Sequence, residues 1–203
     1  MRVVLDWDGT CTEVDSLHMV LGRFGDREIY ERAEQELLAG RMTYRELMEA
    51  EFDTVRAPLD EVVAFLLAEA RLRPGFHELA RLDPVILSSG FVELIEPVLA
   101  REGVGLEVRA NAIDARPDGW RIRWRDDAEC PACGDLCKRR GLPEGPIVFV
   151  GDGYSDRCAA LAAERVFARD SLAGYLEAEG IPFEGFDDLH DVLRADDIRV
   201  ARR

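Results

Sequence analysis

Two aspartates stand two residues apart in Asp6-Trp7-Asp8-Gly9-Thr10, directly after the short apolar run Val3-Val4-Leu5. Carboxylates at that spacing, released at the end of a buried strand, can divide the work of covalent catalysis. Asp6 is placed to act as nucleophile and Asp8 as general acid and base. Two other apolar runs also end in polar residues. Pro84-Val85-Ile86-Leu87 leads into Ser88-Ser89-Gly90, and Ile147-Val148-Phe149-Val150 leads into Gly151-Asp152-Gly153-Tyr154-Ser155-Asp156, with Lys138 on the loop between them. These residue types suit phosphoryl transfer to a carboxylate. Attack on a phosphate dianion meets like-charge repulsion on the order of 10 kcal/mol at ~3 Å and an effective dielectric of ~20. A divalent cation and a lysine must offset that repulsion. Magnesium prefers hard oxygen ligands, so Asp6, Asp152 and the backbone carbonyl of Asp8 are its expected ligands, with Ser155 and Asp156 behind them. Thr10, Ser88, Ser89, Gly90 and Lys138 are expected on the phosphate oxygens, the amides of Ser89 and Gly90 lying at a strand-to-helix turn.

The elements that must position these groups follow from periodicity. The apolar runs at 2–5, 84–87 and 147–150 read as buried strands, with another at Val166-Phe167. Between Thr12 and Leu72 the pattern turns helical: Thr12 and Asp15 are plausible caps, Gly25 breaks the first helix, and further helices are expected over 27–39, 44–54 and 59–72. A helix follows Gly90 to about Arg101, where Pro97 predicts a kink or a late start. Residues 106–125 read as strands joined by a turn at Pro117-Asp118-Gly119. Helices are expected after Asp156, from Ser171, and over 187–193. Short apolar strands separated by helices predict an α/β fold, a Rossmann-like three-layer parallel sheet core at 1–11 and 73–203, with a small helical cap at 12–72 inserted after the first strand.

The chain has 203 residues, 41 acidic against 26 basic, and a net charge of −15. That balance disfavours nucleic acid and anionic lipid as partners. No run approaches the ~18 apolar residues of a membrane span, and the N-terminus shows no secretory signal. A cytoplasmic protein acting on a small phosphorylated metabolite is expected, with its oligomeric state open. Asp15, His18 and Tyr154 are candidates for the substrate pocket. Trp7, Cys11 and Cys158 read as packing residues.

In these motifs and their order, the chain resembles the haloacid dehalogenase superfamily over nearly its full length. The resemblance implies magnesium and an aspartyl-phosphate intermediate, and Asp8 points to phosphatase rather than dehalogenase chemistry. Within that superfamily, the cap placement and Ser88-Ser89-Gly90-Phe91 are similar to the phosphoserine-phosphatase-like branch. Cys130-Pro131-Ala132-Cys133-Gly134-Asp135-Leu136-Cys137-Lys138 is similar to the stretch before the lysine in two groups. One is the methionine-salvage phosphatases of 2-hydroxy-3-keto-5-methylthiopentenyl-1-phosphate; the other is the phosphoethanolamine/phosphocholine phosphatases. Phosphoserine fits less well, because the helix that carries a substrate-binding arginine in that branch offers Glu49, Ala50 and Glu51 here. Asp15 falls where that branch places an acidic substrate contact, which leaves amine-bearing substrates open. A phosphotransferase of the same fold and a phospho-accepting signalling domain are the remaining alternatives. Cys130, Cys133 and Cys137 have the spacing of three zinc ligands without an evident fourth; reduced thiols and a regulatory disulfide are the other readings.

Overall fold

Strand β1 (Arg2–Leu5) divides its side chains between two cores, as a period of two requires. In a computed structural model, which describes residues 1–195, Val3 and Leu5 enter one buried cluster and Val4 the other. Helices α1 (Ser16–Phe24), α2 (Arg27–Leu38), α3 (Tyr44–Phe52) and α4 (Leu59–Glu69) follow β1. Then come α5 (Phe76–Ala80), β2 (Val85–Phe91), α6 (Val92–Arg101), β3 (Glu107–Asp114) and β4 (Arg121–Arg123). A 3₁₀ turn at Lys138–Gly141 precedes β5 (Ile147–Gly151), and another at Tyr154–Asp156 precedes α7 (Arg157–Ala160). Strand β6 (Arg165–Ala168), α8 (Asp170–Ala178), β7 (Glu184–Gly185) and α9 (Leu189–Arg194) complete the described chain.

The seven strands form one sheet in the order β4-β3-β2-β1-β5-β6-β7. Neighbours run parallel except β3 and β4, which pair antiparallel. The chain builds outward from β1 through β2, β3 and β4, then returns to lay β5 on the other side of β1. Such a reversal opens a crevice at the C-terminal ends of the central strands, where ligands of open α/β sheets bind. Register aligns that edge, because Leu5 stands opposite both Ile86 of β2 and Val150 of β5. On one sheet face Leu5, Ile86, Val148, Val150 and Phe167 pack with α1, α5, α6 and α9; on the other, Val4, Leu87, Phe149 and Val166 pack with α7 and α8.

The helical segment after β1 is held by local capping. Asp15 accepts from the His18 amide and Asp26 from those of Glu28 and Ile29, while Thr43 and Glu46 form a capping box. Its two ends run side by side: Thr12 pairs antiparallel with Leu72, and the Arg73 amide donates to the Cys11 carbonyl at 2.8 Å. Phe52 of α3 packs edge-on against Phe91, and Trp120, just before β4, donates its Nε1–H to the Ala57 carbonyl. The β3–β4 hairpin therefore props the helical segment over the sheet.

Several details differ from expectation. Strand β2 runs on through Ser88, Ser89 and Gly90 to Phe91, because β3 stays paired with it across a register shift between Leu87 and Phe91. Helix α6 starts at Val92, and Pro97 sits in its interior rather than marking a late start. Thr12 is not a helix cap; its hydroxyl accepts from the Gly9 amide and donates to the Trp7 carbonyl. The five-residue α5 and two-residue β7 are too short to leave a periodic signal. Of the stretch expected to form the core, residues 196–203 lie outside the described residues.

Arg73, where the helical segment rejoins the sheet, is buried, and its guanidinium donates to the carbonyls of Gly9, Thr10, Thr12 and Asp187. It clamps the loop that carries Asp6 and Asp8. Hydrogen bonds from a charged donor contribute roughly 1.5–3 kcal/mol each and do not add fully. Arg73→Met is therefore expected to cost about 3 kcal/mol in urea unfolding, read as a lowered midpoint at unchanged slope.

Candidate active site

The turn after β1 separates alternate side chains. Trp7 points into the core, edge-on to Phe76, while Asp6 and Asp8 face the crevice. Gly9 makes the turn possible: its φ is +75°, and a Cβ there would collide with the Asp152 carboxylate. From β5, Asp152 reaches the same point, accepting from the Thr10 hydroxyl at 2.7 Å.

Lys138 is 3% exposed, and its ammonium donates to Asp6 and, at 2.6 Å, to Asp156. The other oxygen of Asp156 accepts the amides of Asp152 and Gly153 at 3.0 and 2.9 Å. Asp156 thus ties the lysine to the loop after β5. Oxygens of Asp6, Asp152 and Asp156 lie within 4.8 Å of one another. With both Asp156 oxygens engaged, Asp6 and Asp152 are the freer donors. The set is all oxygen and carries more negative charge than one lysine balances, so it fits a hard divalent cation such as magnesium. The Asp8 carboxylate turns away from this cluster and accepts from Ser16 and, at 3.3 Å, from Ser88. Ser88 in turn accepts the Gly90 amide at 2.7 Å.

Burial governs the electrostatics. It pushes the Asp6 carboxyl well above the usual range, helped by Asp156 and opposed by Lys138. Burial and the Asp15 charge push Asp8 up to about 7 against the Ser16 hydrogen bond. Burial and Asp156 push Asp152 up to about 6 against the Thr10 hydrogen bond. For Lys138, burial opposes the charge, but the attraction of Asp156 and Asp6 outweighs it and raises the pKa.

These groups open onto a cavity of about 360 Å³ whose far wall is the helical segment. Asp15, His18, Tyr154, Ser89 and Gly90 line it, as do Leu17, Leu37, Leu47 and Met48. Tyr154 stacks on Tyr44 with ring centroids 6.2 Å apart, and His18 packs edge-on against Tyr30. Ser155 also lines the cavity.

One expectation changes: Thr10 is fully buried and spends its hydroxyl on Asp152 instead of standing ready for phosphate. Two further residues gain a place in the tertiary structure that was not expected of them. Glu51, 3% exposed, lines the cavity with Oε1 buried and unpartnered among the described residues. Burial, then Glu34 and Asp15, push it up to about 8. Its signal was an acidic residue set on the apolar stripe of α3, at helical spacing from Tyr44, Leu47 and Met48. Cys158, read as packing, joins Cys130, Cys133 and Cys137, their sulfurs within 4.8 Å of one another. Its signal was adjacency, because Cys137 precedes Lys138, Cys158 closely follows Asp156, and those two partners meet. Cys11 is fully buried, its thiol pushed well up by burial and then by Asp6 and Asp8, which suits packing.

The chain is similar to known proteins along most of its length. The family of haloacid dehalogenase-like hydrolases matches residues 3–161. A relative from Geobacillus thermodenitrificans, named 2-hydroxy-3-keto-5-methylthiopentenyl-1-phosphate phosphatase, is 30% identical over 93% of this chain and 91% of its own. Pdp3-interacting factor 1 of Schizosaccharomyces pombe is also 30% identical, over 95% and 93%. A solved structure described as a phospho-aspartyl intermediate analogue of phosphoserine phosphatase has a TM-score of 0.68 at 14% identity, covering 95% of this chain and 97% of that one. That likeness concerns the fold.

The raised carboxyls dictate a pH dependence. Folded-state values of about 7 for Asp8 and about 6 for Asp152 lie above the ordinary carboxylate value, so the folded chain holds these protons more tightly than the unfolded chain. Their stabilisation is complete below about pH 4 and is lost as pH rises through 6 and 7. Glu51, pushed up to about 8, acts in the same direction, so magnesium-free protein should lose more than ~2 kcal/mol of stability between pH 5 and pH 7.5. Millimolar magnesium at pH 7.5 should raise the melting temperature of the wild type and leave Asp152→Asn unmoved.

Proposed function

The chain belongs to the haloacid dehalogenase-like hydrolases, and we propose that it is a magnesium-dependent phosphomonoesterase whose nucleophile is Asp6. The observation that carries this reading is convergence. Asp6 and Asp8 after β1, Lys138 on its 3₁₀ turn and Asp152 after β5 meet at one cavity, with Ser88 of β2 bonded to Asp8 and Asp156 bonded to Lys138 behind them. Magnesium held by Asp6, Asp152 and the Asp8 carbonyl would supply positive charge against carboxylate–phosphate repulsion. Ser88, Lys138 and the amide of Ser89 hold the non-bridging oxygens, while the Gly90 amide orients the Ser88 hydroxyl. An oxygen of Asp6 attacks phosphorus, and Asp8, pushed up to about 7, holds a proton near neutral pH and gives it to the leaving alkoxide. Asp8 then takes a proton from the water that hydrolyses the aspartyl phosphate. The helical wall keeps bulk water from the reacting groups.

For the substrate, the relatives' names support 2-hydroxy-3-keto-5-methylthiopentenyl-1-phosphate. Leu37, Leu47 and Met48 suit a methylthioalkyl chain, and a protonated Glu51 can donate to a keto oxygen. A second reading rests on Asp15, Glu34 and Glu51 along the same wall. Three carboxyl groups there favour a phosphomonoester bearing a cationic amine, such as phosphoethanolamine or phosphocholine.

Purified protein with magnesium should hydrolyse p-nitrophenyl phosphate, and Asp6→Asn should reduce kcat by a factor of about 10³ or more with the far-ultraviolet circular dichroism unchanged. Asp8→Asn should turn over slowly and carry one added phosphoryl group in its intact mass. Equal rates for Asp6→Asn and wild type would end the mechanism. Glu51→Gln separates the two substrate readings, because glutamine keeps a donor but loses the charge. It should cost the keto substrate less than about tenfold in kcat/KM, and an amine-bearing substrate about 10² or more.

A further inference from the structure

We propose that Cys130, Cys133, Cys137 and Cys158 hold a structural zinc ion in a closed tetrahedral site that positions Lys138. Three cysteines come from the loop after β4, at spacings of two and three intervening residues, and the fourth from α7. All four are free thiols, and their sulfurs lie within 4.8 Å of one another, Cys130 and Cys158 at 3.8 Å. A tetrahedral ion bonded at ~2.3 Å to each sulfur sets the sulfurs about 3.8 Å apart. A disulfide would draw one pair to about 2.05 Å and leave the other two sulfurs without a role.

The loop is shaped as a metal-binding turn. The Gly134 amide donates to the Cys130 carbonyl at 2.8 Å and the Cys130 amide to the Asp135 carbonyl at 2.9 Å, with Gly134 at φ +72°. The amides of Ala132 and Cys133 also point at the Cys130 sulfur. Little else holds the loop, since residues 131–134 are exposed and only Cys130 is buried. Soft thiolates, four in number and with no position left for water, select zinc in a structural rather than a catalytic role. Binding would displace the thiol protons to solvent.

The consequence lies in what these cysteines adjoin. Cys137 directly precedes Lys138, and Cys158 stands two residues after Asp156, so the ion would fasten together both segments of the buried Lys138–Asp156 pair. Asp135, inside the metal turn, accepts the Tyr44 amide at 3.1 Å, which extends the tie to the cavity's far wall. Lys138 is aimed by this site, which itself touches no substrate.

The test uses the untagged full chain, expressed in zinc-supplemented medium and purified without chelator. Elemental analysis should find about one zinc per chain, and cobalt-substituted protein should show the visible bands of a tetrahedral thiolate site. Cys158→Ser should lose the metal, whereas Cys158→His should keep it. Should the serine variant fail to fold, metal content and the cobalt spectrum of the wild type decide by themselves. Zinc-depleted wild type in magnesium should lose about tenfold in kcat on p-nitrophenyl phosphate with a smaller change in KM, restored by zinc. Less than a tenth of an equivalent of zinc, iron in its place, a disulfide among the four in protein alkylated at lysis, or full zinc in Cys158→Ser would overturn the site. An unchanged kcat after zinc removal would overturn its positioning role.

Discussion

The structure is organised around one buried ammonium. Lys138 stands between Asp6 and Asp156 with almost no contact with solvent, and an ion so placed must be matched closely by its partners. Asp156 meets that demand twice over, binding the lysine through one oxygen and two backbone amides through the other. Even so, Asp6, Asp8, Asp152 and Asp156 together outnumber the lysine. The pKa values of Asp6, Asp8 and Asp152 all rise, chiefly through burial. The site is therefore short of positive charge, and that is the property that suits it to a divalent cation and then to a phosphate.

Rigid elements bear the strain of holding these charges together. Asp6 and Asp152 follow adjacent central strands whose register is fixed along their length, and Ser88 lies within β2 on the other side. The loop that exposes Asp6 and Asp8 is clamped from beneath by Arg73. Because Arg73 sits where the helical segment rejoins the sheet, the covering wall and the reactive loop share one anchor. The paired neck at Thr12 and Leu72 and the hairpin carrying Trp120 add two further supports. The cavity is thus enclosed by an element tied to the sheet at several points, with Glu51 the one buried acid on its far wall left unpartnered among the described residues.

Much of this was legible in the sequence, for physical reasons that differ by element. The runs at 2–5, 84–87 and 147–150 announce buried parallel strands because both of their faces are covered, so no polar alternation interrupts them. Helix α1 was marked by its cap Asp15 and by Gly25. Asp6, Asp8, Asp152 and Lys138 stood out because their types and order match a single chemistry. Strand β2 was underestimated because serine and glycine break an apolar pattern without breaking hydrogen bonds to a neighbour, and here β3 supplies that neighbour.

What the chain determined by itself was local: the strand runs, the helix caps, the turn at Gly9, and which side chains can attack, protonate or bind a cation. Those properties depend on neighbours in sequence and on intrinsic chemistry. Tertiary structure alone decided which distant groups share a space. It turned Thr10 toward Asp152, brought Cys158 to the other three cysteines, and buried Glu51 without a partner. Each of these outcomes depends on how the crossovers around β1 stack segments far apart in the chain. No periodicity within a segment carries that information.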